Sequence, residues 1–224
     1  MSTVIGIVGP PCSGKSTVAQ TLIDAGGFWI DADRIAKDQL SRQDVQMELR
    51  LLFGATIFAD DGSLSRPALA RLVFGEDKNS RGCLRQLEQV LHPRTRKVIW
   101  SQLTQQVHCR MNPVVMDVPL LLEVGWDTVC DEVWYIEADP VTQQRLLQER
   151  GWTTSQWRKR QANQWSRDDK RRLATRRLLN DGTQNDLRQQ TFNVLDQGGF
   201  TSRSQENPHC DPIAKTVADS SAPG

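Results

Sequence analysis

The stretch Val4-Ile5-Gly6-Ile7-Val8-Gly9-Pro10-Pro11-Cys12-Ser13-Gly14-Lys15-Ser16-Thr17 constrains this chain more than any other. An apolar, β-branched run leads directly into G-x-x-x-x-G-K-S. Residues 17–25 follow, with Val18, Leu22 and Ala25 at helical spacing and Gly26-Gly27 as a stop. Strand, glycine-framed loop and helix in that order make a phosphate-binding loop. A strand this apolar suits a parallel sheet buried on both faces. Gly9 and Gly14 permit tight bends that a side chain resists. The loop N–H groups and the helix N-terminus then present partial positive charge to an anion. Lys15 carries a mobile cation to the β- and γ-phosphates, and Ser16 offers a hydroxyl to Mg²⁺.

Composition narrows the class. The 224 residues suffice for one α/β domain with insertions. A formal net charge of +1 argues for neither nucleic acid nor membrane as a general partner. Five scattered cysteines (Cys12, Cys83, Cys109, Cys130 and Cys210) form no C-x-x-C pair, so reduced thiols in a cytoplasmic protein are expected rather than a disulfide framework. The N-terminus lacks the basic and apolar regions of a signal peptide, and no run reaches membrane-spanning length.

Further strands are read at 28–30, 113–119 and 132–138, with Asp31 and Asp33 after the first and Asp117 in the second. Asp117 is expected either to order Mg²⁺ water, as a Walker B acid does, or to cap a helix starting near Pro119. Between them, residues 35–108 read as almost wholly helical, with one helix broken at His92-Pro93. Asp139-Pro140 opens another helix, and residues 183–197 a last one. Alternating strands and helices imply a parallel sheet flanked by helices. Ligands in such sheets bind beyond the carboxyl ends of the strands, where the phosphate loop, Asp31, Asp33 and Asp117 all fall. Residues 145–177 carry eleven Arg or Lys against three Asp or Glu. That run fits an arginine-rich lid over ATP phosphates. Because Trp152, Trp157 and Trp165 interleave with it, it also fits stacking on single-stranded nucleic acid. Trp29, Trp100, Trp126 and Trp134 are expected in the core. From about residue 200 the chain is polar, and residues 201–224 are expected to be disordered.

Taken in order, the motifs resemble the dephospho-CoA kinase family: the phosphate loop, Asp31-Ala32-Asp33, Leu91-His92-Pro93, Asp117-Val118-Pro119-Leu120-Leu121-Leu122-Glu123-Val124-Gly125, and a basic segment with Arg158, Arg160 and Gln164. The resemblance spans residues 3 to about 198. It implies a P-loop kinase fold, α/β with a parallel sheet flanked by helices, a helical substrate-binding insertion and a lid. On that division residues 1–200 form one domain. Its core is 1–34, 109–145 and 172–200, its CoA-binding region 35–108 and its lid 146–171. The implied activity is phosphorylation of the 3′-hydroxyl of dephospho-CoA by ATP with Mg²⁺, the last step of coenzyme A synthesis.

The resemblance also assigns roles. Asp33 is the expected base, the competing reading being helix N-capping, and Asp31 is expected to orient it. Lys15, Arg145 and Arg150 join Asp33 as catalytic residues. Gly9, Cys12, Ser13, Gly14, Lys15, Ser16, Thr17 and Arg158 are expected to bind ATP. Asp31, Asp33, His92, Asp117, Leu120 and Glu123 are expected to bind the acceptor. Mg²⁺ is expected on Ser16, with Asp117 reached through water. The chain departs from the family pattern in three places: the phosphate loop, a late segment, and the polar tail after about residue 200, for which the family has no counterpart. Pro10 and Pro11 cannot donate N–H groups to phosphate. Ala174-Thr175-Arg176-Arg177-Leu178-Leu179-Asn180 reads as a poor last core strand, because two arginines sit where apolar residues are usual. Another small-molecule or nucleoside kinase, or a nucleotide-dependent RNA-binding module, are the alternative readings.

Overall fold

The computed structural model describes residues 2–75, 78–162 and 164–198, so the expectation for 201–224 lies outside the described residues. Five parallel strands form one sheet in the order β2-β3-β1-β4-β5. They are β1 (Val4–Val8), β2 (Phe28–Asp31), β3 (Val114–Asp117), β4 (Glu132–Ala138) and β5 (Arg176–Asn180). Alternation along β1 sends Val4 and Val8 to one face and Ile5 and Ile7 to the other. Both faces are covered, which is why the strand is apolar throughout. Helix α1 (Lys15–Asp24) places Val18, Ala19 and Leu22 against Ile5 and Ile7, and Leu187 and Leu195 join them from helix α9 (Gln184–Gln197). On the opposite face Ile35, Ile99 and Leu103 pack on Val4, Ile30, Val114 and Met116.

The helical block comprises α2 (Ala32–Gln39), α3 (Gln43–Phe53), α4 (Arg66–Val73) and α5 (Lys78–His108). It has its own core of Val45, Leu49, Ile57, Leu69, Val73, Leu87, Val90 and Leu91. The expected break at His92-Pro93 is corrected: α5 runs 31 residues with Pro93 inside it. Proline removes one backbone donor and crowds the preceding turn. Arg94 ties this turn to α3, donating from Nη1 to the Val90 carbonyl at 2.8 Å and from Nη2 to Glu48 of α3 at 2.7 Å. Pro93 lies between Leu87–Leu91, which serve the helical core, and Ile99 and Leu103, which serve the sheet. One helix thus joins two cores, and the packing on both sides outweighs the cost of the proline.

The arginine-bearing segment is a strand after all. β5 is an edge strand, with Arg176 and Arg177 exposed and Leu178 and Asn180 buried. An edge strand tolerates charge on its open side. Arg176 faces Glu132 of β4 at 3.6 Å, and Arg177 donates to the Arg171 carbonyl at 3.0 Å. The remaining helices are α6 (Pro140–Glu149), α7 (Thr154–Gln161) and α8 (Arg167–Leu173). Trp126 and Trp134 are buried, Trp29 is half-buried, and Trp100, expected in the core, is 50% exposed and stacks obliquely on Trp126. Cys12, Cys83 and Cys130 are free thiols. Among the described residues no helix is long and apolar enough to cross a membrane.

Candidate active site

The turn from β1 into α1 is built by two glycines. Gly14 has φ +101° and Gly9 φ +156°. A Cβ on Gly9 would stand 2.1 Å from the Ile136 carbonyl of β4, and one on Gly14 2.7 Å from Asn180 Nδ2 and from a Leu187 methyl. The loop is therefore pressed against β4, β5 and α9, with room for backbone only. Cys12 adopts a left-handed φ of 59°. Its thiol is pushed above the ordinary value by burial, opposed by the charges of Arg150, Lys15 and Arg160.

Lys15 Nζ donates to the carbonyls of Gly9 at 3.0 Å and Pro10 at 2.9 Å, so it lies folded across the loop. Burial lowers its pKa to about 8; Asp117 opposes that shift, while Lys170 and Arg150 add to it. The prolines that cannot donate are used as acceptors. The Pro11 carbonyl receives Trp157 Nε1 at 3.1 Å, which docks α7 onto the loop.

Register places Asp31 of β2 beside Asp117 of β3. Their roles differ from those expected. Asp31 is the N-cap of α2, accepting from the Arg34 N–H at 2.9 Å. That frees Asp33, within the first turn, to line the cavity. The cap and the cavity carboxylate are two residues apart, and the capping reading belongs to Asp31. No α-helix begins at Pro119, so Asp117 caps none; residues 119–125 form turns, with Leu120 at φ 57°. Asp117 is pushed up to about 6, first by burial and then by Asp31 and Asp33, with Lys15 opposing.

A cavity of about 330 Å³ gathers Gly9, Cys12, Ser13, Gly14, Lys15 and Ser16 with Asp33, Asp117, Leu120, Arg150 and Arg160. Arg150 Nη2 reaches Ser16 Oγ at 3.5 Å, and the Arg160 guanidinium lies 4.0 Å from the centre of the Trp152 ring. Trp152 and Trp157 are thus occupied in packing the basic segment over the loop. Other expected residues are not brought to the cavity wall. Thr17 sits behind the turn with its N–H on the Gly14 carbonyl. Arg145 is exposed and paired with Glu149 at 2.8 Å, Arg158 is exposed, and His92 lies exposed on α5. Glu123 is half-buried and outside the cavity lining, where it accepts from the Trp165 N–H at 2.6 Å and pairs with Lys170 at 3.3 Å.

Lys170 and Trp152 line the cavity and are not among the site residues that the sequence points to. Their only signal is membership of the basic run, in which a buried lysine reads like any other cation. Oxygen donors from Ser16, Asp33 and Asp117, interspersed with the cations Lys15, Arg150 and Arg160, suit a magnesium-bound polyphosphate. Among the described residues no group of three or more His, Cys, Asp or Glu could hold a metal. Magnesium held by one or two protein oxygens and otherwise by phosphates needs no such group.

The profile of the dephospho-CoA kinase family matches residues 3–186. A dephospho-CoA kinase of Rhodopirellula baltica is 51% identical over 185 residues, covering 83% of this chain and 86% of its own. One from Symbiobacterium thermophilum is 41% identical over 182 residues, covering 80% of this chain and 74% of its own. Among solved structures, a Thermus thermophilus protein superposes with a TM-score of 0.69 at 32% identity, over 88% of this chain and 97% of that one.

Proposed function

The chain belongs to the dephospho-CoA kinase family, and from that premise we propose that Asp33 is the base that directs the γ-phosphoryl of ATP onto the 3′-hydroxyl of dephospho-CoA. The protein is an ATP-dependent dephospho-CoA kinase acting in coenzyme A synthesis. The observation that carries the residue assignments is the single cavity in which the phosphate loop, Asp33, Asp117, Arg150 and Arg160 meet.

Phosphoryl transfer needs charge neutralisation, in-line positioning and a proton acceptor for the attacking hydroxyl. The loop N–H groups from Ser13 to Ser16 bind the β-phosphate, and Lys15 leaves the Gly9 and Pro10 carbonyls to span the β- and γ-phosphates. Ser16 and Asp117 would hold Mg²⁺, and the ion would supply neutralisation of the transferring charge. Asp33 accepts the hydroxyl proton, being free of the capping task that Asp31 performs. Arg150 and Arg160 cover the phosphates and exclude water. Leu120 and Asp117 form the acceptor side. The helical block 35–108, with His92 on its exposed face, is assigned to the CoA portion of the acceptor, and residues 146–171 to the lid. The two substrates are intracellular metabolites, which supports a cytoplasmic location.

A coupled assay of ADP release with dephospho-CoA as acceptor tests the proposal, with 3′-phosphorylation read by mass spectrometry. Folded protein that releases no ADP, or that phosphorylates another hydroxyl, would sink it.

A further inference from the structure

Lys170 is an unusual lysine. Its side chain is only 5% exposed, on a helix, α8, whose other cations Arg167, Arg171 and Arg172 reach solvent to differing degrees. Nζ donates to Gln164 Oε1 at 2.9 Å and pairs with Glu123 Oε1 at 3.3 Å. Glu123 is itself 11% exposed, and its Oε1 also accepts from the Trp165 N–H at 2.6 Å. Its Oε2 is buried without a partner among the described residues. Two desolvated charges are thus held between the end of the basic segment and the turn that follows β3.

That turn is rigid. The Val124 N–H bonds the Leu120 carbonyl at 2.9 Å, and the Trp126 N–H bonds the Leu121 carbonyl at 2.9 Å. Fixing Glu123 therefore fixes Leu120 and, through it, the acceptor wall that ends at Asp117. On the other side Gln164 and Lys170 line the cavity facing Lys15 and Arg160. A buried ion pair adds little to stability by itself, because an apolar pair of similar volume serves as well or better. Its placement, bridging two cavity walls, is what gives it a use.

We propose that Lys170 is a positioning residue for phosphoryl transfer: its ion pair with Glu123 latches α8 and the Gln164-Trp165 turn onto the 118–125 turn, holding the lid side and the acceptor side of the cavity in register. The latch rests on the kinase reading above. It acts through the wall rather than by touching the transferring phosphoryl group. Displacements near 1 Å at such a wall are enough to lower the rate by ~10²-fold.

The test is a double-variant cycle in full-length protein: Lys170→Met, Glu123→Leu and Lys170→Met/Glu123→Leu. The last removes both charges together and leaves none stranded, so it is the variant expected to stay folded with a melting temperature near wild type. Its kcat with dephospho-CoA should fall roughly 10- to 100-fold while KM for ATP stays within about threefold, because the phosphate loop is untouched. The double loss should be no greater than the larger single loss, as expected for two residues acting as one unit. A folded double variant with wild-type kcat, or single losses that multiply, overturns the latch. A purely structural pair would lower the melting temperature and leave kcat per folded molecule unchanged. Wild type that fails to phosphorylate dephospho-CoA counts against the kinase reading and the latch together. An active wild type with an equally active double variant counts against the latch alone.

Discussion

Asn180 Nδ2 donates to the main-chain carbonyl of Ser13 at 3.1 Å, joining the last residue of the edge strand to the middle of the phosphate loop. Asn180 is 5% exposed and Ser13 is buried, so no water replaces the bond if the amide is removed. Asn180→Ala should cost about 1–2 kcal/mol, the penalty for a buried carbonyl left unpaired. The same substitution opens space beside Gly14, whose backbone lies against the amide. Loop mobility should then raise KM for ATP several-fold with a smaller change in kcat. Urea unfolding and steady-state kinetics check both. An unchanged KM together with unchanged stability would show that β5 does not brace the loop.

Asp33→Asn separates chemistry from nucleotide binding. The amide keeps the shape of the carboxylate but cannot accept the hydroxyl proton, so kcat should fall by roughly 10²–10⁴. ATP affinity should stay within a few-fold, since Asp33 lies on α2 and not in the loop. The α2 N-terminus should survive because Asp31 is its cap. Isothermal titration with ATP and a circular dichroism melt accompany the kinetics. Turnover near wild type would remove Asp33 as the base.

Those two residues also show what sequence could and could not disclose. The phosphate loop was legible because its chemistry is local: glycine spacing, Lys15 and Ser16 suffice, and β1 before them is apolar enough for only one environment. The split of labour between Asp31 and Asp33 was not, because both types cap helices and both bind phosphate-linked metal. Only the position of the helix start decides between them. Pro93 misled for a related reason. Local propensity ends a helix there, and the fold overrides it because Leu91 and Ile99 are anchored in separate cores. The two arginines of β5 misled because a strand's edge position depends on the whole sheet order. Lys170 was invisible among ten like charges, since its burial depends on Glu123, 47 positions earlier in the chain.

Gly9→Ala tests how closely the loop is pressed to the sheet. The added methyl would meet the Ile136 carbonyl at 2.1 Å, and neither that backbone atom nor the loop can yield without disturbing β4. Destabilisation of about 1–3 kcal/mol is expected, the range for overpacking a filled site. ATP binding should be lost more completely than stability, because the loop must move to relieve the clash. Thermal melts with and without ATP measure both effects, the ligand-induced rise in melting temperature being the sensitive one. A variant that retains that rise would show the loop to be more yielding than its contacts imply.

Asp117 should make stability depend on pH in a window set by its own titration. Burial, Asp31 and Asp33 raise its pKa from 3.8 to about 6, with Lys15 opposing. Between those values the folded protein holds a proton that the unfolded chain has released. The stability associated with the protonated form is therefore fully present below 3.8 and is lost as pH rises to about 6. Asp117→Asn removes that dependence. Relative to wild type it should gain about 2–3 kcal/mol between pH 4 and pH 7, each tenfold change in the proton equilibrium being worth ~1.4 kcal/mol. Lys15, at about 8, titrates above this window and stays charged through it. Urea unfolding of both proteins at pH 4, 5, 6 and 7, without nucleotide, gives the difference directly. A difference that is flat across the window, or that grows towards acid, would mean that Asp117 is not a buried carboxylate ionised against its surroundings.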